Sequence, residues 1–198
     1  MPRRAKPIKT VQKDNSDPLA KVALRQRILD HVLTNGGKGT VLNVLPGLQD
    51  MMGREWKKLG AEVTALKYDY KFFRDRGLNI YLDGGPYDIY DVDTYANPFP
   101  FFEGILKARE DRDFVLIGTD GGILYAKMNA VSPRGYKAGL RGPEKLPENY
   151  ERWLLKRGQE MVDGPVRMLA IWKKPGKSVI YFAWFLGRYA ARELSNRE

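Results

Sequence analysis

The residues of this chain best suited to chemistry are Asp91-Val92-Asp93-Thr94-Tyr95-Ala96-Asn97-Pro98. A strand predicted over Tyr87 to Val92 runs here into two carboxylates, an aromatic ring, an amide and a proline. Where strands of an open α/β sheet end, polar side chains face the crevice in which ligands bind, so such a cluster is placed to touch a ligand rather than to pack a core. The alternative is a polar turn closed by Pro98. Other chemistries are excluded by composition. There is no cysteine, hence no disulfide and no thiolate metal site, and with His31 as the single histidine a multi-histidine zinc site is excluded and a Ser-His-Asp triad is not expected. His31 lies on a predicted helix among apolar neighbours, a packing position rather than a ligand position.

The elements that must position this segment follow from hydrophobic spacing. Residues 1–17 form a basic arm with Arg3, Arg4, Lys6, Lys9 and Lys13 and no hydrophobic period, expected to be disordered; residues 18–198 form one domain. Asp17-Pro18 is a helix start, Val22, Leu24, Ile28, Leu29, Val32 and Leu33 recur at helical spacing, and Asn35-Gly36-Gly37 is a stop. A strand over Thr40 to Leu45, a Pro46-Gly47 turn, a helix over Leu48 to Leu59 and a strand over Glu62 to Leu66 come next. Lys71 to Arg76 is predicted helical, Leu78 to Leu82 a third strand and Tyr87 to Val92 a fourth. A helix over Pro100 to Glu110 leads to a fifth strand over Phe114 to Gly118. Beyond a long basic loop, Ala130 to Pro147, a helix over Pro147 to Gln159 precedes strands Val166 to Trp172 and Ser178 to Phe185, joined through Pro175-Gly176 as an antiparallel hairpin. Strands alternating with helices predict an α/β fold: a doubly wound, mostly parallel sheet with helices on both faces and an antiparallel hairpin at the C-terminal end. Aromatic residues away from the crevice, Trp56, Trp153, Trp172, Phe182, Trp184 and Phe185, sit at core spacing.

Charge points to a partner. The chain carries 34 Lys and Arg against 24 Asp and Glu, a net +10 and a pI near 9.7, which favours a polyanion and above all nucleic acid; the alternative is a generally basic surface. With no apolar run of membrane length and no leader-like N-terminus, no membrane partner and a cytoplasmic location are expected.

Five strands in this rhythm with a terminal antiparallel hairpin resemble the S-adenosylmethionine-dependent methyltransferases of the Rossmann-like class (class I), over roughly residues 19–190. The resemblance implies S-adenosyl-L-methionine as cofactor, held by the first strand and its glycine turn at Asn43, Leu45, Pro46 and Gly47, with Asp69 as the ribose acid and Asp83 near the adenine. Asp91 to Pro98 is similar to the D-x-D-P-[FY]-G-x-P segment of tRNA guanine-N2 dimethyltransferases and, more loosely, to the [DN]-P-P-[YF] segment of nucleic-acid amino-methyltransferases.

On that resemblance Asp93 orients the acceptor amine, Tyr95 stacks on the base and Asp91 supports the site or touches cofactor, while Asn97, Pro98, Thr119 and Asp120 line the substrate pocket. An exocyclic amine gives its lone pair to the ring, and acceptors on its N–H groups favour the tetrahedral nitrogen of the transition state. No metal is implied. The implied activity is methylation of a base nitrogen in RNA, tRNA included, or in DNA. The competing expectation is a degenerate relative without catalysis that binds nucleic acid or a partner methyltransferase. It draws on Asn43 where family members carry an acid, Gln49 where they carry glycine and Lys67 at the ribose position; Thr94 and Ala96 depart from the dimethyltransferase segment itself.

Overall fold

The computed structural model describes residues 17–44, 51–65, 86–93, 98–121, 147–172 and 179–191. Helix α1 (Pro18–Thr34) starts where the sequence predicts: the Asp17 side chain accepts from the Ala20 amide at 3.1 Å and Pro18 occupies the first turn, where its missing N–H costs nothing. It ends at Asn35, followed by Gly36 at φ +78°. Strand β1 (Thr40–Asn43), helix α2 (Met51–Lys58) and strand β2 (Glu62–Ala65) come next, then β3 (Ile89–Val92), α3 (Phe99–Ala108) and β4 (Val115–Asp120). Helix α4 (Pro147–Met161), strands β5 (Val166–Trp172) and β6 (Ile180–Leu186) and the short helix α5 (Arg188–Ala191) complete the chain order.

The six described strands form one sheet in the order β2-β1-β3-β4-β6-β5. The first four run parallel; β6 lies antiparallel between β4 and β5, with Asp120 opposite Ile180 and Trp172 opposite Ile180 on the other side. This is the expected mostly parallel sheet with a C-terminal antiparallel hairpin, and the hairpin's second strand, not its first, joins the parallel set. The predicted helix Lys71 to Arg76 and strand Leu78 to Leu82 lie outside the described residues, as do the N-terminal arm up to residue 16 and the basic loop between Ala130 and Lys145.

Helices cover both faces. On one, Leu24, Ile28 and Val32 of α1, Trp56 of α2 and Tyr189 of α5 pack on Val41, Ile89, Val115, Ala183 and Phe185. On the other, α3 and α4 bring Phe102, Ile105, Tyr150 and Leu154 onto Leu42, Tyr90, Leu116, Phe182 and Trp184. Strands buried on both faces need near-continuous apolar runs, and β6 (Ile-Tyr-Phe-Ala-Trp-Phe-Leu) is buried at every position. His31 belongs to this packing: its Nε2 is 2.9 Å from the Tyr189 carbonyl oxygen and its ring meets Phe185 edge-on at 5.0 Å. β4 continues two residues past the predicted end at Gly118. That glycine is interior to the strand, and a Cβ there would stand 2.9 Å from both the Phe182 ring and Pro98 and 3.0 Å from Phe102. It lets the start of α3 lie close on the sheet.

Candidate functional site

Reading outward from β1, β2 lies on one side and β3 on the other, so the strand order reverses between β1 and β3. In open α/β sheets the crevice outside the carboxyl ends at such a switch point is the ligand site. Asn43 pairs with Asp91 across this boundary, and the Val44 amide donates to the Asp91 carbonyl at 2.9 Å. Both residues at the ladder's end are buried, Asn43 and Asp91 each at 0% exposure.

Strand alternation turns Asp91 and Asp93 to the face covered by α1. There Arg25 donates from Nε to Asp91 Oδ2 at 2.8 Å and from Nη2 to Oδ1 at 2.9 Å, a two-point grip, and Trp56 Nε1 adds a third donor to Oδ2 at 2.6 Å. The guanidinium stacks over the Trp56 ring at 5.9 Å. Burial opposes the Arg25 charge, but Asp91, Asp93 and the hydrogen bond to Asp91 outweigh it and push the guanidinium's pKa above its ordinary value. A carboxylate so enclosed has its charge met inside the fold.

Asp93 stands one layer further out. Its Oδ2 takes Lys21 Nζ at 2.6 Å, its Oδ1 takes the Thr119 hydroxyl at 2.7 Å, and Arg25 Nη2 lies 4.0 Å from Oδ2. Its side chain keeps 15% exposure, against 7% for Lys21 and 0% for Asp91. The helix end that carries Lys21 is itself pinned to this edge, since the Asp17 amide donates to the Tyr181 hydroxyl at 2.9 Å and Lys21 Nζ lies 5.5 Å over the Tyr181 ring.

Thus Asp91, Asp93 and Thr119 come together as one constellation. Asp120, next to Thr119, points to the opposite face, where it is buried and accepts from the Tyr150 hydroxyl of α4 at 2.6 Å. Consecutive strand residues cannot share one pocket wall. Pro98 is buried at the start of α3 against the Gly118 backbone. Leu45, Pro46, Gly47, Asp69, Asp83, Tyr95 and Asn97 lie outside the described residues. Lys21, Arg25 and Trp56 are not among the sequence candidates. The signal for the first two was present: Lys21 and Arg25 continue the buried stripe of Ile28 and Val32 toward the helix start, four residues apart.

As to a cofactor with an ammonium group and ribose hydroxyls, the described crevice residue that offers a partly exposed carboxylate is Asp93, which suits a cationic or N–H-bearing group; the candidate ribose acids are outside the described set. Among the described residues no cluster of three or more His, Asp or Glu side chains could hold a metal ion, and no helix is long and apolar enough to cross a membrane.

No family model matches the chain, and no curated protein matches it. Among solved structures it is similar to the SAH-bound Podospora anserina methyltransferase PaMTH1, at 14% identity, 74% of this chain and 71% of that one, with a TM-score of 0.40. It is similar also to cofactor-bound Rv0187 from MTB, at 14% identity, 89% and 93% coverage and a TM-score of 0.40. The methyltransferase domain of bacterial CtHen1 shares 13% identity over 82% of this chain and 100% of its own, with a TM-score of 0.37.

Proposed function

We propose that the chain is an S-adenosylmethionine-dependent methyltransferase acting on a base nitrogen of nucleic acid, RNA (tRNA included) or DNA. The observation that carries this reading is the sheet's own order, which sets the ends of β1 and β3 on either side of the switch point with Asp93 as the partly exposed carboxylate there. The strand-end segment from Asp91 to Pro98 and the net charge of +10 add the acceptor amine and the polyanion.

The chemistry needs little from the protein beyond alignment. When bound, S-adenosylmethionine would supply an electrophilic methyl group on a sulfonium for the amine lone pair, with the thioether as leaving group. Asp93 accepts an N–H of the amine and holds its lone pair out of the ring, and its negative charge faces the nitrogen as that nitrogen becomes positive. Tyr95 stacks on the presented base. Asp91, enclosed by Arg25 and Trp56, braces the strand end and touches no ligand. The ammonium left on the product loses its proton to water, so no histidine base is required. Asn43 and the turn through Leu45, Pro46 and Gly47 would hold the cofactor, with Asp69 serving its ribose and Asp83 its adenine.

A specific observation favours a second reading: Asp91 and Asp93 both carry internal cationic partners, as in a site retained for structure. On that reading the chain binds nucleic acid, or a partner methyltransferase, without transfer. Isothermal titration with S-adenosylmethionine, run beside titrations with bulk tRNA and duplex DNA, separates the two. Cofactor binding, together with methyl transfer that Asp93→Ala abolishes while cofactor affinity stays within about twofold, supports the enzyme. Absence of cofactor binding at millimolar concentration overturns it, and salt-sensitive polynucleotide binding in the same protein then supports the second reading.

A further inference from the structure

Resting on the methyltransferase reading, we propose that Lys21 and Thr119 are positioning residues that fix the plane of the Asp93 carboxylate for the acceptor amine. A lone aspartate at a strand end rotates freely about its terminal torsion, which is broad and roughly two-fold. Asp93 is held at both oxygens by groups from two different elements, Lys21 Nζ of α1 on Oδ2 at 2.6 Å and the Thr119 hydroxyl of β4 on Oδ1 at 2.7 Å. Two anchors on two oxygens define the plane as well as the position. Each carboxylate oxygen has two lone-pair sites, so one acceptor site on each oxygen remains for a substrate N–H. The 15% exposure of the side chain is the opening through which that N–H arrives.

Lys21 is well placed to act as an anchor because it is itself fixed. Its side chain is 7% exposed, its carbonyl accepts from Arg25 Nη1 at 3.1 Å, and Arg25 is locked on Asp91. The turn before it is tied down through Asp17, whose amide reaches Tyr181 and whose carboxylate caps Ala20. A chain of fixed contacts therefore runs from β6 and β3 through α1 to the reacting carboxylate. Alignment within a fraction of an ångström is what such supporting contacts provide, and its loss lowers turnover more than binding. The site on this account is built by the first helix and two strands together, and Thr119 serves Asp93 rather than the substrate.

The test uses the full chain and four proteins: wild type, Lys21→Met, Lys21→Arg and Thr119→Val. Each is checked for folding by thermal melting, for S-adenosylmethionine affinity by calorimetry, and for transfer of labelled methyl to bulk tRNA and to duplex DNA. The expected result is a fall in kcat of about tenfold or more in Lys21→Met, with the polynucleotide KM and the cofactor affinity within about twofold of wild type. Lys21→Arg, which keeps a cation at the position, recovers most of that loss, and Thr119→Val, which keeps volume and loses only the hydroxyl, lowers kcat alone. If Lys21→Met fails to fold, the Thr119→Val and Lys21→Arg pair decides by the same split. Wild-type kcat in Lys21→Met or Thr119→Val, or a loss confined to KM, overturns the positioning role while leaving the methyltransferase reading intact. Wild-type protein that binds no cofactor overturns both.

Discussion

Asp91 and Asp93 stand two residues apart on one strand and face the same helix, yet they meet opposite requirements. A carboxylate that braces a fold must be wholly paired, whereas one that receives a ligand, as proposed for Asp93, must keep an acceptor open. Arg25 and Trp56 give Asp91 three donors at 0% exposure. Removing one partner of a buried pair leaves an uncompensated charge, which costs more than the pair itself contributes. Arg25→Met is therefore expected to lower unfolding stability by about 3–5 kcal/mol, and the double variant Arg25→Met/Asp91→Leu to lose distinctly less than the sum of the two single losses. Urea unfolding of the four proteins measures this, and strict additivity would count against the pairing. Lys21 and Arg25 lie on the buried stripe of α1, yet their residue types alone did not mark them as partners of the strand-end carboxylates. A charge on a predicted helix is ordinarily a solvated one, and these two are drawn inward by carboxylates 72 and 66 residues away along the chain. Asp93 could be named as a candidate because a strand-end carboxylate follows from local pattern alone.

Elements were easier to read than their ends. The central strands β3, β4 and β6 appear as mostly apolar runs because a sheet covered on both faces leaves no polar side, whereas the edge strand β2 alternates, and α1 announces itself through Asp17-Pro18 and Asn35-Gly36. β4 overran its predicted end since Gly118 answers to crowding by Pro98, Phe102 and Phe182, which no local pattern records. The four-residue α5 is too short to show a period. It is nevertheless tied to the far end of the sheet, where Asp88 accepts from the Lys38 and Thr40 amides, the Thr40 hydroxyl and the Tyr189 hydroxyl at 2.9–3.1 Å. Burial of Asp88 opposes its charge, yet the Thr40, Tyr189 and Lys38 donors win and hold the carboxyl below its ordinary range. Burial first, then the Asp88 hydrogen bond and charge, push the Tyr189 phenol up from 10 to about 12. The folded chain thus keeps the phenol proton longer than the unfolded chain. This contribution to stability is fully present below pH 10 and is lost as pH rises toward about 12. The Asp88 contribution runs the other way, present above the ordinary carboxylate value and lost as pH falls through the depressed one. Tyr189→Phe is expected to lose about 1 kcal/mol at neutral pH and to show a flatter stability decline between about pH 10 and 12 than wild type, read from urea midpoints across that window. Parallel declines in the two proteins would remove Tyr189 from this role.

For the whole molecule, a net charge of +10 was plain from composition, while its distribution over a binding surface was not, because a count of Lys and Arg carries no geometry. Several cations are spent inside the fold: Lys21 and Arg25 on carboxylates, and Arg109 on the Tyr87 carbonyl, the Tyr90 hydroxyl and Asp111. Charges so committed cannot neutralise phosphates, so on the proposed nucleic-acid reading that role falls to exposed residues and to Arg3, Arg4, Lys6, Lys9 and Lys13 ahead of α1. Helix α1 is capped by Asp17, whose amide donates to the Tyr181 hydroxyl on the strand that pairs with β4 at Thr119. Each phosphate neutralised contributes about 0.9 to the slope of log affinity against log salt on duplex DNA. Replacing the five arm residues with Gln should therefore flatten the slope by up to about 4.5 and weaken binding at low salt, with cofactor affinity unchanged. Fluorescence anisotropy with a labelled duplex over a salt series gives both slopes. An unchanged slope would move the phosphate contacts onto the domain itself, and a flattened slope with undiminished methyl transfer at saturating substrate would make the arm a device for capture rather than for alignment, separating it from the Lys21 and Thr119 contacts that act on Asp93.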